Sequence, residues 1–246
     1  MVIIKSLEFK NVSKSFCHNE EIVDVLDDVS FTVDEGQVVC IVGPSGAGKS
    51  TILNLISQLL KPTSGVVEVN GGIGYMFQRD CLFDWKTIYN NVLLGLEIKH
   101  IKTKENIARV ERMLKEYGLE NFKSSHPYEL SGGMRQRVAL IRTLAVNPSI
   151  LLLDEPFAAL DYQTKLKVSN DIYKIIKKEK KTTIMVTHDI SEAISLADKI
   201  IILSNRPAKV KEIIDINIEE DNPIKKRQNG KFQEYFEKIW DVINYE

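Results

Sequence analysis

Residues 43–51, GPSGAGKST, bring three glycines, a lysine and three hydroxyl side chains into nine consecutive positions. They fit the phosphate-loop pattern G-x-x-x-x-G-K-[ST]. Glycine has no Cβ, so the backbone can curl until its N–H groups and the N-terminus of the following helix face an anion. Gly43, Pro44, Ser45, Gly46, Ala47, Gly48 and Thr51 are therefore expected to form a cradle for nucleotide phosphates. Lys49 would neutralise the β- and γ-phosphates, and Ser50 would ligate Mg²⁺. A strained glycine turn without ligand is the alternative, and the flanking elements weigh against it. QVVCIVG ahead reads as a buried strand, and Ile52, Leu53, Leu55, Ile56 and Leu59 behind cluster on one face of a helix.

LLLDEP at 151–156 is an apolar strand that ends in two adjacent carboxylates, which are costly to bury without a cation or a catalytic task. Asp154 suits the Mg²⁺ side. Successive strand residues point to opposite faces, so Glu155 is presented differently and could polarise a water for in-line attack on the γ-phosphate. Read alone, the pair is equally compatible with a strand-end turn. LSGGMRQR at 130–137 places Ser131, Gly132 and Gly133 before a helix whose apolar face runs through Val138, Ile141 and Ala145 toward Pro148. Read alone, SGG is a capped helix start; beside the first loop it reads as a second phosphate cradle.

These residues need a scaffold, and the strand candidates VVEV, IGYMF, ILLLD, TTIMV and KIIIL, mostly separated by helical patterns, predict a largely parallel sheet covered on both faces. LEFKNV and VSFTV add an antiparallel β-rich part near the start. From about 85 to 147 strand signals vanish and amphipathic stretches such as KENIARVERMLKEYGL take over, an inserted helical subdomain. At about 222–244 the spacing of Phe232, Tyr235, Phe236, Ile239, Trp240 and Ile243 predicts an amphipathic helix that packs on the body or serves regulation. The whole of 1–246 reads as a single α/β domain.

Apolar residues are 43% and charged residues 27%, and Lys+Arg 33 against Asp+Glu 34 leaves a net charge of -1. That balance argues against nucleic acid as a partner. No run approaches the roughly 18 apolar residues of a membrane span, and the amino-terminal MVIIKSLEFK lacks an apolar signal core. Cys17, Cys40 and Cys81 have neither metal-ligand spacing nor the even count of a disulfide framework, so a reduced, cytoplasmic setting is expected.

The signature LSGGMRQR resembles that of the ABC ATPases, and further motifs of that family follow its order up to about residue 215. The resemblance implies a P-loop NTPase core of ABC ATPase type that binds ATP and Mg²⁺. It makes Gln78 in YMFQRD the Q-loop glutamine, reaching toward Mg²⁺ and the attacking water. It makes Asp161 in AALD the D-loop aspartate near the nucleotide and His188 in VTHD the switch histidine on the γ-phosphate. Phe16 in VSKSF matches the aromatic on which adenine stacks, with a core position as the alternative. Two phosphate cradles in one chain make sense if the second faces the ATP of another copy, giving a head-to-tail dimer around two nucleotides. Met134 and Ala159 depart from the commonest family residues without touching a group assigned to chemistry.

FQRDCLFDWKTIYNNVLLGLE, DEPFAALD and LSNRPAKV look like the nitrate/sulfonate/taurine importer group. This implies transmembrane permease subunits as partners, a substrate-binding protein indirectly, and a peripheral place on the cytoplasmic face of the membrane. Asp84, Trp85 and Lys86 would lie near the groove that receives the permease, with a tryptophan packed under the helical subdomain as the alternative. An exporter subunit stays open. A non-transport ABC ATPase fits poorly, because only about 80 residues separate the two loops, too few for long coiled coils. A small-molecule kinase would leave LSGGMRQR and His188 unexplained.

Overall fold

The computed structural model describes residues 5–19, 21–220 and 222–244. The first four residues of the amino-terminal stretch lie outside these. Two long strands, β1 (Lys5–His18) and β2 (Glu21–Asp34), pair antiparallel; β3 (Val38–Val42) follows and feeds α1 (Lys49–Ile56). Next come β4 (Ser64–Val69), β5 (Ile73–Met76), α2 (Ile88–Ile98), α3 (Lys104–Glu116) and α4 (Gly132–Ala145), then β6 (Ile150–Asp154) and α5 (Tyr162–Lys178). The chain closes with β7 (Thr182–Val186), α6 (Ile190–Leu196), β8 (Lys199–Leu203), β9 (Val210–Asp215), α7 (Pro223–Lys226) and α8 (Gly230–Asn244).

The central sheet runs in the order β5-β6-β7-β3-β8-β9 and is parallel except for β9. Its inner strands β6, β7, β3 and β8 are buried on both faces, and side-chain alternation divides the core in two. Val38, Cys40 and Val42 share one cluster with residues of α2, α3, α4, α5 and α6, with α6 packed on β3, whereas Val39 and Ile41 share the other with α1 and the antiparallel sheet β2-β1-β4. Leu151 and Leu153 join the first cluster, Ile150 and Leu152 the second. β3 and β6 thus end on either side of β7, and both the glycine loop and the acidic pair emerge at the carboxyl edge of one sheet, where α/β folds bind ligands.

Several elements differ from the sequence reading. VVEV pairs with β1 in the antiparallel sheet instead of the parallel one, because β1 offers it a free edge at Phe9↔Val67 and Leu7↔Val69. β9 was not legible as a strand: it alternates half-buried and exposed residues at a sheet edge, a weak signal. Leu59 lies past the end of α1 and is 65% exposed, so the apolar face of that helix stops at Ile56. Between residues 88 and 145 the chain forms only helices and short 3₁₀ turns, with α2, α3 and α4 capped by the hydroxyls of Thr87, Thr103 and Ser131. α8 buries Phe232 and Ile239 against the body and leaves Trp240 half exposed, stacked on Phe236.

Candidate functional site

The loop after β3 leads into α1 through Gly48, whose φ is 83° and whose missing Cβ would stand 2.7 Å from a Val25 methyl. Any side chain there would push β2 off the loop. Lys49 is 7% exposed, and its Nζ donates to the carbonyls of Gly43 (2.9 Å) and Pro44 (2.8 Å). Among the described residues no carboxylate lies within ion-pair distance of it. Burial pulls its pKa below the usual lysine value, although Glu155 and Asp154 act in the opposite sense. A buried ammonium held by two carbonyls keeps the capacity to pair with an anion.

Across from it stands the end of β6. Ser50 Oγ donates to Asp154 Oδ1 at 3.2 Å, and the Tyr75 hydroxyl donates to Asp154 Oδ2 at 3.3 Å. Burial raises the Asp154 carboxyl, offset by those two hydrogen bonds and reinforced by the neighbouring Glu155 charge. Glu155 turns out of the strand at φ 43° and its N–H donates to Val186 O at the end of β7, 3.0 Å away. One of its oxygens, Oε2, accepts from Gln78 Nε2 at 3.5 Å and lies 3.2 Å from His188 Nδ1. Three loops far apart in sequence therefore converge on a single carboxylate.

The cleft above the loop, about 310 Å³, is lined by Ser45, Gly46, Gly48, Lys49, Ser50, Thr51, Glu155 and Arg206. Residues 130–137 are not part of that lining. Ser131 caps α4, accepting from Met134 N at 3.3 Å, and Gly132 and Gly133 already belong to the helix. Gly133 is needed for packing as well as any ligand, since a Cβ there would lie 2.6 Å from a Val168 methyl of α5. Asp161 is likewise committed locally, accepting from Thr164 N at 3.0 Å as the cap of α5. Phe16 is 37% exposed and paired with Val23, two residues along β2 from the Val25 that touches Gly48. The core alternative for its ring does not hold. Trp85 is 75% exposed, its ring 4.8 Å from that of Phe83, which removes the buried alternative for it too.

Two site residues escaped the sequence reading. Arg206 forks onto Gly46 O with Nε at 3.2 Å and Nη2 at 2.9 Å, and the stretch LSNRPAKV that contains it had served only as a mark of kinship. Tyr75 sits one strand position before Met76 and gave no signal, because a strand aromatic next to a buried aspartate is visible only in three dimensions.

The sequence profile of the ABC transporter family matches residues 26–158. An ABC transporter ATP-binding protein of Bacillus subtilis, YtlC, itself uncharacterized, is 43% identical, with 97% of this chain and 95% of the relative covered. The nitrate import ATP-binding protein NrtD of Synechocystis is 38% identical over 97% of this chain and 93% of its own. The taurine import ATP-binding protein TauB of Jannaschia is 37% identical over 96% and 93%. Among solved structures, the dimeric post-hydrolysis state of the ATP-binding cassette MJ0796 with ADP and Pi matches at TM-score 0.74 and 36% identity, covering 86% of this chain and 99% of that one. A buried lysine at the mouth of a glycine loop, faced by Asp154 and Glu155, agrees with these relatives, and the chain belongs to the ABC transporter family as an ATP-binding, ATP-hydrolysing cassette.

Proposed function

We propose that this chain is the ATPase subunit of an ABC importer for a small anion or organic solute of the nitrate/sulfonate/taurine type. The observation that carries the ATPase part is the buried Lys49 beneath the loop, held by two carbonyls and facing Asp154 and Glu155 beyond ion-pair distance. The resemblance to the nitrate and taurine import proteins supports the direction of transport. Ser50, Asp154 and Gln78 are the donors for Mg²⁺, which when bound neutralises charge on the β- and γ-phosphates.

In this reading Glu155 accepts the proton of the attacking water, Gln78 orients that water, and His188 stabilises the γ-phosphate while holding Glu155 in place. Gly43 to Thr51 and Lys49 bind the phosphates, and Phe16 stacks on adenine. Ser131, Gly132, Gly133 and Asp161 serve the nucleotide of a second copy, which accounts for their distance from this chain's own cleft. The permease docks at the groove of about 390 Å³ lined by Phe77, Phe83, Ile98 and Arg142, with Trp85 at its edge. Asn91 braces that edge through Phe83 N (2.8 Å) and the carbonyls of Phe83, Lys86 and Thr87. No described helix is long and apolar enough to cross a membrane, so attachment to the cytoplasmic face would come through the permease, itself served by a substrate-binding protein. The test is reconstitution in vesicles with a permease that binds this chain and a binding protein for nitrate, taurine or an alkanesulfonate. ATP-driven accumulation of nitrate, taurine or an alkanesulfonate on the cassette side is expected; ATP-driven movement away from that side would overturn import.

A further inference from the structure

Behind the cleft, α5 and α6 are joined by a charged staple that no motif predicts. Lys165, in the first turn of α5, places Nζ 3.0 Å from Asp189 Oδ2 and 2.5 Å from Glu192 Oε1. Glu192 is only 3% exposed, and its Oε2 accepts from Thr187 Oγ1 at 2.5 Å. Thr187 Oγ1 accepts in turn from Asp189 N at 3.1 Å, and Asp189 Oδ1 accepts from Glu192 N at 3.1 Å. Thr187 and Asp189 are the two chain neighbours of His188. Every group that the ammonium reaches is therefore adjacent to His188 or bonded to a residue that is.

The other end of the staple leads to Glu155. The chain leaving Glu155 turns tightly, with Ala158 N bonded to Glu155 O and Leu160 N to Phe157 O, and enters α5 at its cap Asp161. Lys165 N donates to Asp161 O at 2.8 Å. A ring closes: Glu155 to α5, Lys165 to the residues flanking His188, and His188 Nδ1 back to Glu155 Oε2 at 3.2 Å. Holding two helices together needs no buried charge, because apolar residues of similar volume do so at least as well. What an ion pair adds is a fixed relative position, since a buried carboxylate tolerates its partner in few places.

We infer that Lys165 is a positioning residue for ATP hydrolysis, fixing His188 relative to Glu155 through Asp189, Glu192 and Thr187. The inference rests on the roles proposed above for Glu155 and His188.

Steady-state ATPase kinetics and thermal melting of the full chain test it in four variants. Lys165→Met should lower kcat by about tenfold or more, as small misplacements of reacting groups do, with KM for ATP within about twofold. It should also melt earlier, because Glu192 is left charged and buried. Lys165→Met combined with Glu192→Gln removes that stranded charge and keeps a partner for Thr187, so melting should recover while kcat stays low. Recovery of kcat along with melting would make the staple merely structural and overturn the inference, as would wild-type kcat in Lys165→Met. Lys165→Arg keeps a cation beside both carboxylates and should regain most of the activity; a folded Lys165→Arg as impaired as Lys165→Met would also overturn it. Glu155→Gln separates the two levels. If that variant is inactive while the double variant is fully active, only the role of Lys165 falls; if Glu155→Gln turns over normally, the underlying reading falls first.

Discussion

Ser50 and Asp154, on different elements and 104 residues apart in sequence, meet at 3.2 Å with the hydroxyl donating to the carboxylate. The contact places side by side the hydroxyl and the carboxylate proposed above as ligands of Mg²⁺. Asp154 is held there against its preference, because burial lifts its pKa above the ordinary 3.8. A raised carboxyl favours the folded state in its protonated form. Its contribution is present below about the unfolded value and is lost as pH rises through the folded value, so at neutral pH the ionised group costs stability. Asp154→Asn should therefore melt higher than wild type at pH 7 without nucleotide or metal, with the gain shrinking as pH falls toward 4. The same variant should lose Mg²⁺-dependent hydrolysis. Calorimetry across pH checks the first expectation; an Asp154→Asn protein less stable than wild type at neutral pH would show that Tyr75 and Ser50 more than compensate the burial.

Lys49 presents the mirror case. Its charged form is disfavoured by burial, so removing the ammonium should leave the fold intact while depriving the phosphates of their principal cation. Lys49→Met keeps the aliphatic stem and should weaken ATP binding at least about thirtyfold, the lower end of the loss when one member of a buried charge pair is removed. Titration calorimetry with Mg-ATP measures it. An unchanged affinity in a folded variant would exclude the loop from nucleotide binding.

Much of this site was legible because its groups are neighbours in sequence: residues 43–51 and 154–155 declare a loop and a strand end without any knowledge of the fold. The parallel character of β3, β6, β7 and β8 followed from the same apolar runs, since strands covered on both faces need no alternation. Contacts between distant segments were not legible. Arg206 on Gly46 O and Tyr75 on Asp154 depend on β8 lying beside β3 and β5 beside β6, a sheet order that no local pattern states. Gly133 was read for phosphate, yet its tight fit to Val168 gives it a packing duty as well. Edge strands misled for a related reason. β4 and β9 owe their pairing to whichever free edge the fold leaves open, so VVEV could not be assigned to the correct sheet in advance.

At the proposed docking groove, Trp85 is 75% exposed and contributes almost nothing to this chain's own core. Trp85→Ala should accordingly leave melting and ATP binding unchanged. A central aromatic anchor lost from an interface costs about 2 kcal/mol or more, so association with the permease should fall about thirtyfold. Pull-down with the detergent-solubilised permease measures this. Unaltered association would move the anchor elsewhere along the groove, toward Phe77 or Ile98.

The arrangement of Ser131 decides how many copies the reaction needs. Its hydroxyl caps α4 and lies on the surface, outside the cleft that holds Lys49 and Glu155, so each cleft lacks the second cradle that the sequence provides. Two copies related head to tail would supply it reciprocally, with γ-phosphate bridging Lys49 and His188 of one to Ser131 and Gly133 of the other. Hydrolysis removes that bridge, and wild-type dimers should be short-lived. Glu155→Gln keeps the side-chain volume and the contact to His188 but removes the carboxylate that would take the proton of water, so this variant should hold ATP uncleaved. Size-exclusion chromatography of Glu155→Gln with Mg-ATP should give a dimer carrying two nucleotides, and with Mg-ADP a monomer. Adding Ser131→Arg puts a bulky side chain where the second phosphate contact belongs and should abolish the dimer without lowering ATP binding to the monomer by more than about threefold, because Ser131 lines no part of that monomer's cleft. A Glu155→Gln protein that stays monomeric at saturating ATP counts heavily against the sandwich, and one that hydrolyses ATP at the wild-type rate removes Glu155 from the role of base.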